Sequence, residues 1–201
     1  MLEARDLQCE RGGRTLFRQL GFSVEGGALL RVAGPNGSGK SSLLRILCGL
    51  LAPAAGEVRW QGEPIASLRE EYSRQLVYLG HAPAVKDDLT AAENLFISCS
   101  LAGMRPAADA LHQALRRFGV PHGPMLRRLS QGQRRRAALA RLALSEEVPL
   151  WLLDEPFSAL DAGGIELVND LLARQLAKGG AIVLTTHQDP GIAATRVVGL
   201  G

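Results

Sequence analysis

Cysteine is sparse in this chain and supports no chemistry of its own. The three, Cys9, Cys48 and Cys99, are odd in number, widely spaced and outside any C-x-x-C or C-x-x-C-H pattern. That leaves disulfide frameworks, zinc sites and covalent haem attachment without support, and fits reduced thiols in a cytoplasmic protein. Long hydrophobic runs are missing as well. The longest, residues 43–55, is interrupted by Arg45 and is too short to span a bilayer. The opening Met1-Leu2-Glu3-Ala4-Arg5-Asp6 lacks the apolar core of a secretory signal. Membrane association is therefore expected only through a partner. Nor does one sign of charge dominate: 23 basic residues stand against 20 acidic ones, net +3, interspersed rather than segregated. The one dense basic run, Arg134-Arg135-Arg136, sits in a helical pattern and reads as a solvated face or docking surface, so no nucleic-acid partner is expected. Repeats and low-complexity tracts are absent too.

What remains is a chain of 201 residues, 46% hydrophobic, able to bury a full core and read as one unit, 1–201, with an insertion. Residues 28–33 form an apolar strand that runs into a glycine loop, after which Leu43, Leu44, Leu47 and Leu51 recur at helical spacing. Further strands are expected at 57–60, 75–79, 150–154 and 181–185, and helices at 107–118, 131–145 and 165–177. Strands alternating with helices imply an α/β fold on a parallel sheet. From about 91 to 130 no strong strand appears, and a helical subdomain of about 91–145 is expected as an insertion into a core of about 1–90 and 146–201.

The glycine loop, Gly34-Pro35-Asn36-Gly37-Ser38-Gly39-Lys40-Ser41, matches G-x-x-x-x-G-K-[ST] at every specified position, and Ser42 follows. Glycines let successive backbone N–H groups turn inward around phosphate oxygens, Lys40 is placed for the β- and γ-phosphates, and the Ser41 hydroxyl for Mg²⁺. Downstream, Leu150-Trp151-Leu152-Leu153 ends in Asp154-Glu155-Pro156, two carboxylates where a buried strand emerges. The strand-end Asp of P-loop ATPases holds Mg²⁺, which assigns Asp154 to the metal and leaves Glu155 as general base or water-orienting group. Ser130 followed by Gln133 fits a capping box, so a helix is expected to begin there, its N-terminus an anion site through Ser130 and the Gly132 backbone.

Leu129-Ser130-Gln131-Gly132-Gln133 resembles the signature of ABC-type ATPases, Ser158-Ala159-Leu160-Asp161 resembles their D-loop, and His187 after Thr185-Thr186 resembles their switch histidine. The resemblance spans nearly the whole chain. It implies an ABC nucleotide-binding domain with a RecA-like core and an N-terminal β portion. It further implies a head-to-tail homodimer with two ATP molecules, each between the glycine loop of one copy and Ser130, Gly132 and Gln133 of the other. His187 would contact the γ-phosphate, and Asp161 would couple the two sites. Leu79-Gly80-His81-Ala82-Pro83, Leu89-Thr90-Ala91-Ala92-Glu93-Asn94-Leu95, Trp60-Gln61-Gly62 and Leu184-Thr185-Thr186-His187-Gln188 together resemble a narrower group, the ATP-binding subunits of the haem exporter of cytochrome c maturation. That implies integral membrane subunits contacting about 81–95, at the cytoplasmic face of a bacterial inner membrane. Nothing in the composition itself marks a haem site.

Besides Gln131, which replaces a common glycine of the signature, the chain departs from the family pattern in two places. His81 occupies the position of a glutamine that meets Mg²⁺ and the attacking water, and Arg11, ahead of Gly12-Gly13, stands where an aromatic usually stacks on adenine. The alternatives are the ATPase of another small-substrate exporter, or a soluble ABC module working on ribosomes or nucleic acid. An imidazole accepts from water or binds a metal only when neutral, so turnover is expected to fall as His81 takes up a proton. ATPase profiles of the chain and of His81→Gln between roughly pH 5.5 and 8 are expected to diverge on the acid side, and parallel profiles would overturn this role.

Overall fold

The computed structural model describes residues 1–187 and 191–201; Gln188 lies outside the described residues. The chain opens with an antiparallel hairpin, β1 (Leu2–Arg11) and β2 (Arg14–Val24), turned by Gly12 and Gly13 at φ +56° and +73°. β3 (Leu29–Ala33) then leads through the glycine loop into α1 (Lys40–Leu47). β4 (Ala55–Trp60), β5 (Glu63–Pro64), α2 (Ile65–Leu68), α3 (Glu70–Arg74) and β6 (Leu76–Leu79) complete the first half. A helical stretch follows, with α4 (Ala91–Leu101), α5 (Ala108–Arg117) and α6 (Gln131–Leu139). The chain then runs through β7 (Leu150–Asp154), α7 (Ala162–Ala177), β8 (Ala181–Thr185) and β9 (Arg196–Gly199).

Two sheets result. The first, ordered β2-β1-β4-β5, is antiparallel; the second, ordered β6-β7-β8-β3-β9, is parallel throughout. Every residue of β7 and β8 is buried, as strands covered on both faces must be. The strand period of two divides their side chains between two cores. Trp151, Leu153, Ile182 and Leu184 pack toward Leu115, Phe118, Leu139 and Leu171, while Leu150, Leu152 and Val183 pack toward Leu43, Leu44, Leu47 and the hairpin residues Leu2 and Leu7. The parallel strands therefore end together at one edge, where α/β sheets bind ligands.

Four expectations are corrected. α6 ends at Leu139 and the chain continues as a 3-10 turn, Ala140–Leu144, instead of one helix to Ser145. The tighter turn buries Ala140 and Leu142, and the Ser145 carbonyl accepts from Trp151 Nε1 at 3.2 Å. α1 stops at Leu47, leaving Leu51 outside it, because Gly49 turns at φ +77° and the Leu50 and Leu51 amides fold back to the Arg45 carbonyl. α7 begins at Ala162, before the expected 165, because Asp161 Oδ1 accepts from the Gly164 amide at 3.0 Å and caps two glycines of poor helix propensity. β9 lies beyond the last expected strand; three of its four residues are exposed, so it carries no hydrophobic alternation. Among the described residues no helix is long and apolar enough to cross a membrane.

Candidate active site

The glycine loop is built by β3 feeding α1 across three glycines in the left-handed region, Gly34 at φ +150°, Gly37 at +82° and Gly39 at +103°. Gly39 is the N-cap of α1 and offers no side chain to its first amides, so they face outward for an anion. A Cβ there would press on the Phe17 ring at 3.2 Å. Lys40 is nearly buried, and its Nζ donates to the Gly34 carbonyl at 2.8 Å and the Pro35 carbonyl at 2.9 Å.

Facing the loop is the end of β7. The in-register pairing of Asp154 with Thr185 lets the Thr185 hydroxyl donate to Asp154 Oδ1 at 2.7 Å while accepting from the Glu155 amide at 3.0 Å. The Glu155 backbone lies at φ +52°, a conformation that non-glycine residues rarely adopt. Its Oε2 accepts from the His187 amide at 3.3 Å, and its Oε1 stands 3.5 Å from His187 Nε2. Asp154 Oδ2 and Glu155 Oε1 are both buried without a hydrogen-bond donor. Two buried carboxylate oxygens without a donor, on residues that share one cavity with Ser41, suit a hard cation shared with a phosphate. Among the described residues no cluster of three or more His, Cys, Asp or Glu is placed to hold a metal ion.

These groups surround one cavity of about 720 Å³. Asn36, Gly37, Gly39, Lys40, Ser41 and Ser42 form its floor, and His81, Asp154, Glu155 and His187 stand across from them. Arg11, Leu16, Ser158 and Ala159 also line it. Gly34, Pro35 and Ser38 belong to the loop without lining the cavity. Ser130, Gly132, Gln133 and Asp161 are not brought into it. Ser130 caps α6 with both arms of the capping box, Gln133 N to Ser130 Oγ at 3.2 Å and Ser130 N to Gln133 Oε1 at 3.0 Å, and it is exposed. A Cβ on Gly132 would lie 3.2 Å from the Ala159 carbonyl, so the α6 start packs on the segment after Glu155. Asp161 caps α7 and stands 3.6 Å from Arg136.

The basic run needs correction. Arg134 and Arg136 are half-buried beside Asp87 and Asp161, but Arg135 is 5% exposed, no part of a solvated face. Burial pulls its guanidinium below the ordinary value, opposed by the charges of Asp154 and Glu155. Thr185 and Arg135 escaped sequence reasoning because sheet register and helix rotation, not spacing, bring them to the acid pair.

The family model described as ABC transporter matches residues 17–158. A solved structure of the ATP-binding subunit of an ABC transporter is 29% identical, with a TM-score of 0.82, over 92% of this chain and 79% of that one. The chain therefore belongs to the ABC transporter family, as one of its ATP-hydrolysing cassettes. Within the family it is 54% identical to the cytochrome c biogenesis ATP-binding export protein CcmA of Aromatoleum aromaticum, over 98% of this chain and 94% of that protein. It is 52% identical to the CcmA of Nitrosomonas europaea, over 94% of this chain and 89% of that protein.

Thr185→Val keeps the shape but removes the donor to Asp154 and an acceptor of the Glu155 amide. It is expected to lower unfolding stability by about 1–3 kcal/mol, read from urea denaturation, and an unchanged midpoint would show that this pair carries no stability.

Proposed function

We propose that this chain is the ATP-hydrolysing subunit of a cytochrome c biogenesis export complex, coupling ATP binding and hydrolysis to haem handling by integral membrane subunits at the cytoplasmic face of a bacterial inner membrane. The similarity to CcmA proteins at about half identity along nearly the whole chain supports the assignment. The observation that carries the chemistry is the pair of buried carboxylate oxygens on Asp154 and Glu155 that have no hydrogen-bond donor, on residues lining one cavity with Lys40 and Ser41.

In this reading Lys40 leaves the Gly34 and Pro35 carbonyls for the β- and γ-phosphates as ATP settles on the loop amides. Ser41, Asp154 and His81 would hold Mg²⁺, which would supply neutralisation of phosphate charge. Glu155 takes the proton of the attacking water, with His187 at the γ-phosphate and Arg11 beside the adenine. Two copies arranged head to tail complete each site. The placement of Ser130 and Gly132 on an exposed helix start outside the cavity of their own chain supports that arrangement. Asp161 then lies between the two sites.

The surface for the membrane subunits is a groove of about 320 Å³ formed by residues including His81, Pro83, Val85, Asn94 and Leu95. Leu50 lines its edge at 69% exposure, and Phe96 and Ile97 are large exposed apolar residues of α4, the helix that supplies Asn94 and Leu95. The Thr90–Glu93 capping box and the two hydrogen bonds of Asn94 to Lys86 give this segment a defined shape.

Glu155→Gln is expected to cut ATP hydrolysis by roughly 10²- to 10⁴-fold while ATP binding persists and an ATP-stabilised dimer elutes in size-exclusion chromatography. Hydrolysis at the unaltered rate would exclude Glu155 as the base. Taken from detergent-solubilised membranes, the chain is expected to bring down integral subunits whose loss stops cytochrome c maturation. Recovery with the subunits of a different exporter would replace the cargo assignment.

A further inference from the structure

Arg135 takes no part in the steps above, yet its guanidinium meets both sides of the hydrolytic end of the cavity. Nη1 donates to the carbonyls of Gly80 at 2.8 Å and His81 at 3.1 Å. Nη2 donates to the carbonyls of Asp154 at 2.9 Å and Glu155 at 2.7 Å. One planar fork therefore ties three segments that are distant in sequence: the loop after β6, the end of β7, and α6. The acceptors are backbone carbonyls, so what the fork sets is where the main chain runs.

Its position matters because of the strain it spans. Glu155 is held at φ +52°, and such a backbone persists only where its surroundings over-determine it. Thr185 grips the turn from the amide side through its hydroxyl and carbonyl. Arg135 grips it from the carbonyl side, on the acceptors before and after the strained dihedral. The same side chain lines the groove of about 320 Å³ that borders His81, and it rides on the helix whose start packs on Ala159.

We infer that Arg135 is a positioning residue that, from α6, sets the Glu155 carboxylate and the His81 loop for hydrolysis. This rests on Glu155 acting as the base. A misplacement of the base by a fraction of an ångström slows chemistry without weakening nucleotide binding, because Lys40 and the loop amides are untouched.

The test compares Arg135→Gln and Arg135→Lys for kcat, KM, fluorescent-nucleotide affinity and thermal midpoint. The expected result is a kcat lowered by roughly ten- to a hundredfold in Arg135→Gln, with KM and ATP affinity within about threefold and Arg135→Lys intermediate. A kcat within about twofold of the unaltered chain in both variants, or a loss of affinity parallel to the loss of kcat, would overturn the inference. Should Arg135→Gln fail to fold, Arg135→Lys carries the same comparison with the charge retained. Failure of the underlying reading shows separately, as full activity in Glu155→Gln with Arg135 intact.

Discussion

β7 and β8 lie in parallel register with Asp154 opposite Thr185, and β3 lies on the other side of β8 with Val32 opposite the same threonine. The three strands are almost wholly buried, so their register is held by two hydrophobic layers at once. A slip of one residue would carry each set of leucines and valines into the wrong core and turn Asp154 away from the glycine loop. The chemistry of the cavity is thus anchored by apolar packing several residues back along each strand. Thr185 converts that register into hydrogen bonds, holding one oxygen of Asp154 and leaving the other open.

The cassette is also two-faced. The cavity collects the glycine loop, the acid pair and His187, while the signature residues at the N-terminal start of α6 lie outside it. Gly132 nevertheless touches the backbone of Ala159, itself at φ +60°, two residues before the Asp161 cap of α7. Contacts on the signature face therefore bear on a strained segment that begins at Glu155. In the proposed dimer this geometry links closure at one nucleotide to the water-activating end of the other, and Arg135 adds a direct tie from α6 to the same residue.

The phosphate loop, the acid pair, the capping box at Ser130 and the buried strands were legible because each is written in contiguous residues whose chemistry is local. Gly34 to Ser41 needs only its own backbone to form a phosphate cradle, and Ser130 with Gln133 closes its own cap. Where packing decides, the local pattern misleads. Leu51 continues the leucine spacing of α1 but falls beyond Gly49, and the pattern from Gln131 to Ser145 changes helix type at Ala140 to seat Ala140 and Leu142. Arg135 looks solvent-bound in a run of three arginines, yet rotation of the helix by one residue relative to its neighbours places it alone in the interior.

The amino-acid sequence by itself determined that this chain is an ABC-type cassette with a glycine loop and a strand-end acid pair, because those properties reside in short strings with fixed backbone demands. Tertiary structure decided which oxygens of Asp154 and Glu155 stay open, that Thr185 and Arg135 brace them, and that Ser130 and Gly132 stand outside the cavity of their own chain. Those facts follow from sheet register, helix rotation and burial, which arise only when residues far apart in the chain share one core.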